Sequence, residues 1–301
     1  MAKKHKRKNK PNGFLKSFLF SSLTTTLTHK ALETIIIPKT KTSKFIRKNY
    51  ANRDVNLYGG IVTGTNLVIN ALPIFRIYNR KASKAMLVAT SMSTVSGLID
   101  DLDNGKSEGD TKIKGFKGHL AALSKGRVTT GVLKIVGISS ASCIASFILT
   151  NKTHTHNKKK DNLVYVYDYL LNAGIIASTA NLHNLLDLRP GRCLKFSALM
   201  NASLLFSNRN TRNIAISNLC TISSSLPSDL SEKTMLGDTG ANALGSSVGV
   251  AIASVNKRGI KSLVALGVLA LNLLSEKVSF SKIISSNKVL KKFDDMGRIH
   301  E

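Results

Sequence analysis

The stretch "MLGDTGANALG" (Met235–Gly245) sets one carboxylate, Asp238, between Gly237 and Gly240 at the entrance of a long apolar segment. An isolated Asp in hydrocarbon costs ~2.5–3.5 kcal/mol on insertion scales, so an Asp at this position calls for a partner. The two glycines let backbone approach closely and permit positive φ. Thr239 or Asp238 is placed to cap the helix that follows. A helix N-terminus with free N–H groups in turn favours a bound anion such as phosphate.

The apolar segment is one of nine, at about 14–37, 59–78, 85–99, 128–149, 163–182, 194–207, 212–227, 239–255 and 259–276. Most of the chain's lysines and arginines fall between them. The formal net charge of +27 over 301 residues first points to nucleic acid or an anionic surface. No basic motif is interleaved with aromatics, however, and Trp is absent, so no stacking platform for nucleic acid is present. Apolar blocks near the ~20 residues of a spanning helix, with cations between them, predict an all-α polytopic membrane bundle of about nine to ten helices. The expected organisation is a basic tail (1–13) and one integral membrane domain (14–301). A mean hydropathy of only +0.01 reflects blocks rich in Ser, Thr and Asn and loops rich in Lys. The three cysteines (Cys143, Cys193 and Cys220) fit neither a disulfide framework nor a zinc spacing.

Alternation through nine spans puts the connections 38–58, 100–127, 183–193, 228–238 and the tail from Lys277 on one face. That face carries every unusual motif and more basic residues, which makes it cytoplasmic by the positive-inside rule. The same count puts the Lys-rich residues 2–10 outside, so the first segment is expected to be a hairpin or an interfacial helix. Residues 113–127 read as an amphipathic interfacial helix, and 151–162, with two His, as a polar loop.

Two further motifs share the face of Asp238. "SGLIDDLDN" (96–104) ends a helix with Asp100 and Asp101 on the wrong side of the helix dipole, where they raise each other's pKa unless a cation compensates. "NLHNLLDLRPGR" (181–192) sets Asn181, Asn184 and Asp187 within about a 120° arc of a helix. Such a stripe faces a cavity, or bonds a partner helix. Arg189, Arg192 and Lys195 follow around a Pro-Gly turn and offer cations for phosphate. His183 points off the stripe and is read as packing. "RKNYANRDVNLYGG" (47–60) is a basic loop, read equally as a flexible turn or a substrate edge. The tail 277–298 is an amphipathic interfacial helix on an anionic leaflet, with Asp294–Asp295 a solvated pair.

In this order and on one face, "DDLDN", "NLHNLLDLRPGR" and "MLGDTGANALG" resemble the polyprenyl-phosphate N-acetylhexosamine-1-phosphate transferases, over roughly Arg47 to Arg298. The resemblance implies a UDP-N-acetylhexosamine donor, a polyprenyl (undecaprenyl) phosphate acceptor, release of UMP, and Mg²⁺ with Mn²⁺ as a substitute. It places the paired aspartates on Asp100 and Asp101, the Asn-x-x-Asn-x-x-Asp element on Asn181, Asn184 and Asp187, and the Gly-Asp-x-Gly element on Gly237, Asp238 and Gly240. Asp238 and Asp101 become the expected metal ligands. Asn184 and Asp187 hold the nucleotide, and Arg189, Arg192 and Lys195 offset phosphate charge. A homodimer and a multi-pass cell-membrane location with a cytoplasmic site follow by the same analogy. Two departures mark this chain: Pro190 stands where the family carries a second Asp, and no His occurs between Lys257 and Arg298. A non-catalytic membrane paralogue is the alternative that these departures leave open. The residue types suit the reaction. An acceptor phosphate with a second pKa near ~6 is already mostly a dianion at pH 7, so the demand is for positioning and charge neutralisation rather than for a general base.

Overall fold

Each of the nine apolar segments forms a helix in the computed structural model, which describes residues 12–40, 43–73, 77–104, 128–150 and 158–299, with 118, 122, 124 and 126. In chain order they are α1 (Asn12–Thr40), α2 (Tyr58–Ala71), α3 (Arg80–Asp103), α4 (Thr130–Leu149), α5 (Lys158–Leu186), α6 (Arg192–Leu204), α7 (Arg209–Leu230), α8 (Gly237–Ala253) and α9 (Arg258–Ser275). Two short helices, α10 (Phe280–Ser286) and α11 (Lys288–Asp295), close the chain. The class is therefore all-α, apart from one small antiparallel hairpin of β1 (Ile46–Lys48) and β2 (Asp54–Asn56). The tail 1–11, the interfacial helix expected at 113–127, apart from single positions, and residues 151–157 of the His-bearing loop lie outside the described residues.

Helix starts follow local chemistry. Asn79 accepts the Ala82 N–H at 2.8 Å, Thr129 that of Val132 at 3.2 Å, and Asn208 those of Asn210 and Thr211. Each is an N-cap side chain satisfying amides that the helix cannot pair itself.

Helix α8 runs through the centre, packed by α2, α3, α5 and α7. Every residue from Gly237 to Ala253 except Asp238 is buried. Its small side chains make this possible: a Cβ on Gly60 of α2 would lie 1.9 Å from the Leu236 carbonyl oxygen, and one on Gly240 would lie 2.8 Å from the Gly60 Cα. Polar side chains pair across the same contacts. Ser93 meets Ser246 at 2.7 Å, Thr63 meets Ser225 at 2.9 Å, and Asn218 joins Asn201 at 2.9 Å and Ser247 at 2.5 Å.

The outward faces have the opposite character. On α1, Ser17, Ser21 and Thr25 are buried while Leu15, Leu19, Leu23 and Leu27 are each nearly 60% exposed. On α9 Leu263 is 72% and Leu266 65% exposed. Two helices, α4 and α9, are long and apolar enough to cross a membrane. Among the other segments, α2, α6 and α8 are too short, at 14, 13 and 17 residues, and α7 carries Ser, Thr and Asn of the interior pairs. α1 is one continuous helix from Asn12 to Thr40, so the hairpin expected for the first segment does not form.

Candidate functional site

The C-terminal end of α3 and the N-terminal end of α8 meet beside the N-terminal turn of α4, and there three charges converge. Lys134 of α4 donates to Asp100 Oδ2 at 2.5 Å and to Asp238 Oδ2. All three side chains are about one-fifth exposed, so the ammonium is largely enclosed but not sealed from solvent. Burial pushes the Asp238 carboxyl up to about 8, aided by its hydrogen bond with Asp100. Against burial, that same bond and the Lys134 ammonium hold Asp100 well below the usual carboxylate range. One lysine thus neutralises one of two carboxyls, and the pair retains a proton that a second cation would displace.

Asp101, adjacent in sequence, has a different task. It accepts the Asp238 N–H at 3.0 Å, the Thr239 N–H at 2.8 Å and the Thr239 hydroxyl at 2.6 Å. Its carboxylate therefore caps α8 from a neighbouring helix, where an anion also complements the dipole. Gly237 is required beside it: its φ is +57°, and a Cβ would lie 2.8 Å from Asp101 Oδ2. The capping expected of Thr239 or Asp238 is thus performed from α3, with Thr239 as donor.

Asp187 follows the last residue of α5 and lies within electrostatic reach of Asp238 and Asp101. Burial first, then Asp229, raises its carboxyl well above the ordinary range. It lines a cavity of about 310 Å³ together with Lys48, Tyr50, Arg189, Asp229 and Glu232. Three carboxylate oxygens among these residues, Asp187 Oδ2, Asp229 Oδ2 and Glu232 Oε1, are buried without a hydrogen-bond partner. Arg189 lies over the Tyr50 ring at 3.9 Å. The β-hairpin forms the wall: Asn49 accepts the Ala51 and Arg53 amides and donates to Glu232 at 2.6 Å, and Arg47 donates to the Asp101 carbonyl. The basic loop 47–60 is therefore an ordered edge of the cavity, and Gly59–Gly60 are buried at the start of α2 rather than in a flexible turn.

Other expected residues go elsewhere. Asn181 faces α9, where it donates to Asn272 at 2.6 Å; this is the interhelical bond that a polar stripe also predicts. Asn184 is half-buried and its carbonyl accepts the Asp187 N–H. Arg192 and Lys195 are not available to phosphate. Arg192 binds Asp294 through two bonds of 2.8 and 2.7 Å, and Lys195 donates to the carbonyls of Phe293, Asp294 and Met296. Asp294 is accordingly buried in an ion cluster with Arg192 and Arg298 rather than solvated. His183 packs as expected, edge-on to Phe196 with Nδ1 on the Thr179 carbonyl.

Sequence reasoning missed Lys134, Asp229 and Glu232. Lys134 had a signal: it is the only ionisable residue in its apolar segment, which marks function by default. Asp229 and Glu232 had little, because a polar stretch after Pro227 gives no hint that its acids turn inward.

A hard divalent cation suits what is assembled. Mg²⁺ takes one or two carboxylates and completes its shell with phosphates and water, and Asp100 and Asp238 supply two carboxyls that share a single ammonium. Among the described residues no three His, Cys, Asp or Glu side chains group for a metal; the remaining ligands would come from substrate. Compared with models of known protein families and with curated proteins, the chain matches none.

Proposed function

We propose that this chain is a multi-pass membrane transferase that passes a sugar-1-phosphate from a UDP-N-acetylhexosamine to a polyprenyl phosphate, releasing UMP. The observation that carries the reading is the meeting of Asp100, Lys134 and Asp238 from three helices, beside a cavity walled by Asp187, Arg189 and Tyr50. The inverted polarity of α1, with hydroxyls inward and leucines outward, and the two helices fit to cross a membrane support a bilayer location. If all nine helices cross, alternation sets the site on one face, and the excess of Lys and Arg in that face's loops favours the cytoplasm.

Anion attacks anion in this reaction, so most of the catalysis is charge compensation and alignment. Asp100 and Asp238 would hold a divalent cation, and the Lys134 ammonium beside them would then be free to meet phosphate oxygens. Asp101 holds the start of α8 rigid, which fixes the Asp238 backbone. The unpaired oxygens of Asp187, Asp229 and Glu232 accept hydrogen bonds, and so suit the hydroxyls and N–H groups of a nucleoside, while the Arg189 guanidinium in the same cavity suits a phosphate. Mg²⁺ held by Asp100 and Asp238 would neutralise the donor diphosphate.

The test is transfer of label from UDP-N-acetylglucosamine, then from UDP-N-acetylmuramoyl-pentapeptide, to undecaprenyl phosphate in membranes with and without Mg²⁺. A solvent-extractable labelled lipid that needs Mg²⁺ and disappears in Asp238→Asn is expected. Full turnover by Asp238→Asn, or no lipid product and no binding of either donor, overturns the reading.

A further inference from the structure

The chain beyond α9 carries a surface that the transfer reaction does not use. α9 ends at Ser275, and α10 begins at Phe280. At 100° per residue, Val289, Leu290 and Phe293 fall on one face of α11, with Lys288 and Lys292 along its edge. All five are exposed, Val289 at 76%. Lys277 and Lys282 of the preceding stretch are exposed as well. This C-terminal segment thus presents an apolar strip bordered by ammonium groups, directly after a helix whose leucines face outward. Those features match the headgroup layer of an anionic leaflet: apolar side chains enter the acyl boundary while lysines remain with the phosphates.

The remaining edge of α11 is tied to the site. Asp294 takes both bonds from Arg192, Lys195 caps the carbonyl end of the helix, and Arg298 donates to the Pro190 carbonyl at 3.1 Å. Pro190 and Arg192 belong to the turn that begins at Asp187. Side chains that can touch lipid and side chains that hold the cavity wall therefore share one eight-residue helix.

We propose that the α10–α11 segment docks on anionic lipid headgroups at the site face and, through the Asp294–Arg192 latch, steadies the 187–192 turn. This rests on the bilayer reading above but not on the reaction. The test is amide hydrogen exchange of the full chain in nanodiscs of phosphatidylcholine alone or mixed with phosphatidylglycerol. Exchange of 288–296 and of 188–192 is expected to slow in the anionic discs, by about fivefold for each lysine engaged. Lys288→Gln with Lys292→Gln, both on the surface, abolishes the difference. Asp294→Asn retains it in α11 and loses it in the turn. Equal exchange in the two lipids overturns the proposal while leaving membrane integration intact. An unchanged response of the turn in Asp294→Asn overturns the latch. Extraction of the chain by alkaline carbonate overturns both this proposal and the bilayer reading. Lipid-dependent protection in a chain that transfers no sugar phosphate supports the docking and counts only against the reaction.

Discussion

A single ammonium serves two carboxyls here: Lys134 donates to Asp100 and Asp238 together, and burial favours the protonated form of Asp238. Lys134→Gln removes the charge but preserves a hydrogen-bonding tip. It is expected to lower turnover by ~10²–10³, the range for loss of one preorganised electrostatic group, with helix content unchanged by circular dichroism. Asp229 yields a pH prediction. Burial raises its carboxyl to about 7, above the 3.8 of an unperturbed Asp, so the folded chain holds a proton that the unfolded chain has released. Its contribution to stability is complete below pH 4, falls by up to about 1.4 kcal/mol per pH unit as pH rises toward 7, and is flat above. Asp229→Asn, whose amide oxygen can still accept the Gly191 N–H seen at 2.6 Å, should flatten that slope in urea titrations between pH 4 and 7. At this scale the sequence made Asp100, Asp187 and Asp238 legible, because acids beside apolar segments stand out. It misassigned Arg192 and Lys195, since a cation after a turn looks the same whether it faces a substrate phosphate or an Asp 102 residues away.

Helices were legible wherever a block of apolar residues had clear ends, and all nine blocks hold a helix, although the one expected at 59–78 stops at Ala71. The hairpin 46–56 was not legible, because three-residue strands have too short an alternation to register; its shape comes from the Asn49 turn and from pairing with the stretch before α8. The crossing of α2 over α8 depends on Gly60, where a methyl group would overlap the Leu236 carbonyl. Gly60→Ala is expected to cost about 1–3 kcal/mol through overpacking, read as a lower melting temperature in detergent. The start of α8 offers a sharper discrimination. Asp101→Ala strips three donors of their acceptor and should cost about 1–2 kcal/mol, while the Mg²⁺ concentration giving half-maximal turnover stays where it was. Asp238→Asn should do the reverse, moving the metal dependence with little change in melting temperature. Equal effects of the two substitutions on metal dependence would return Asp101 to the ligand role that its neighbour now holds.

On the scale of the molecule, the described helices place the β-hairpin, the 187–192 turn and the tail at one end, and the α8–α9 connection at the other. Cysteine introduced at Ala51 should react with an impermeant maleimide only after cells are opened, and cysteine at Lys257 should react in intact cells, in a background without native cysteines. Labelling of both from outside would remove the orientation. The buried polar pairs of α8 have a further meaning for how such a chain is made. Helices that hide Ser, Thr and Asn inside a bundle are poor candidates for entering a bilayer one at a time, whereas α4 and α9 are apolar enough to do so unaided. The helices that supply partners to Ser246 and Ser247, α3 and α7, all precede α8 in the chain. On the bilayer reading, the central helix therefore leaves the ribosome after its sockets exist, and α9 follows as a self-sufficient stop. Biosynthesis in chain order suits this architecture, and a circular permutation that moved α8 to the front would release the most dependent helix before any of its partners.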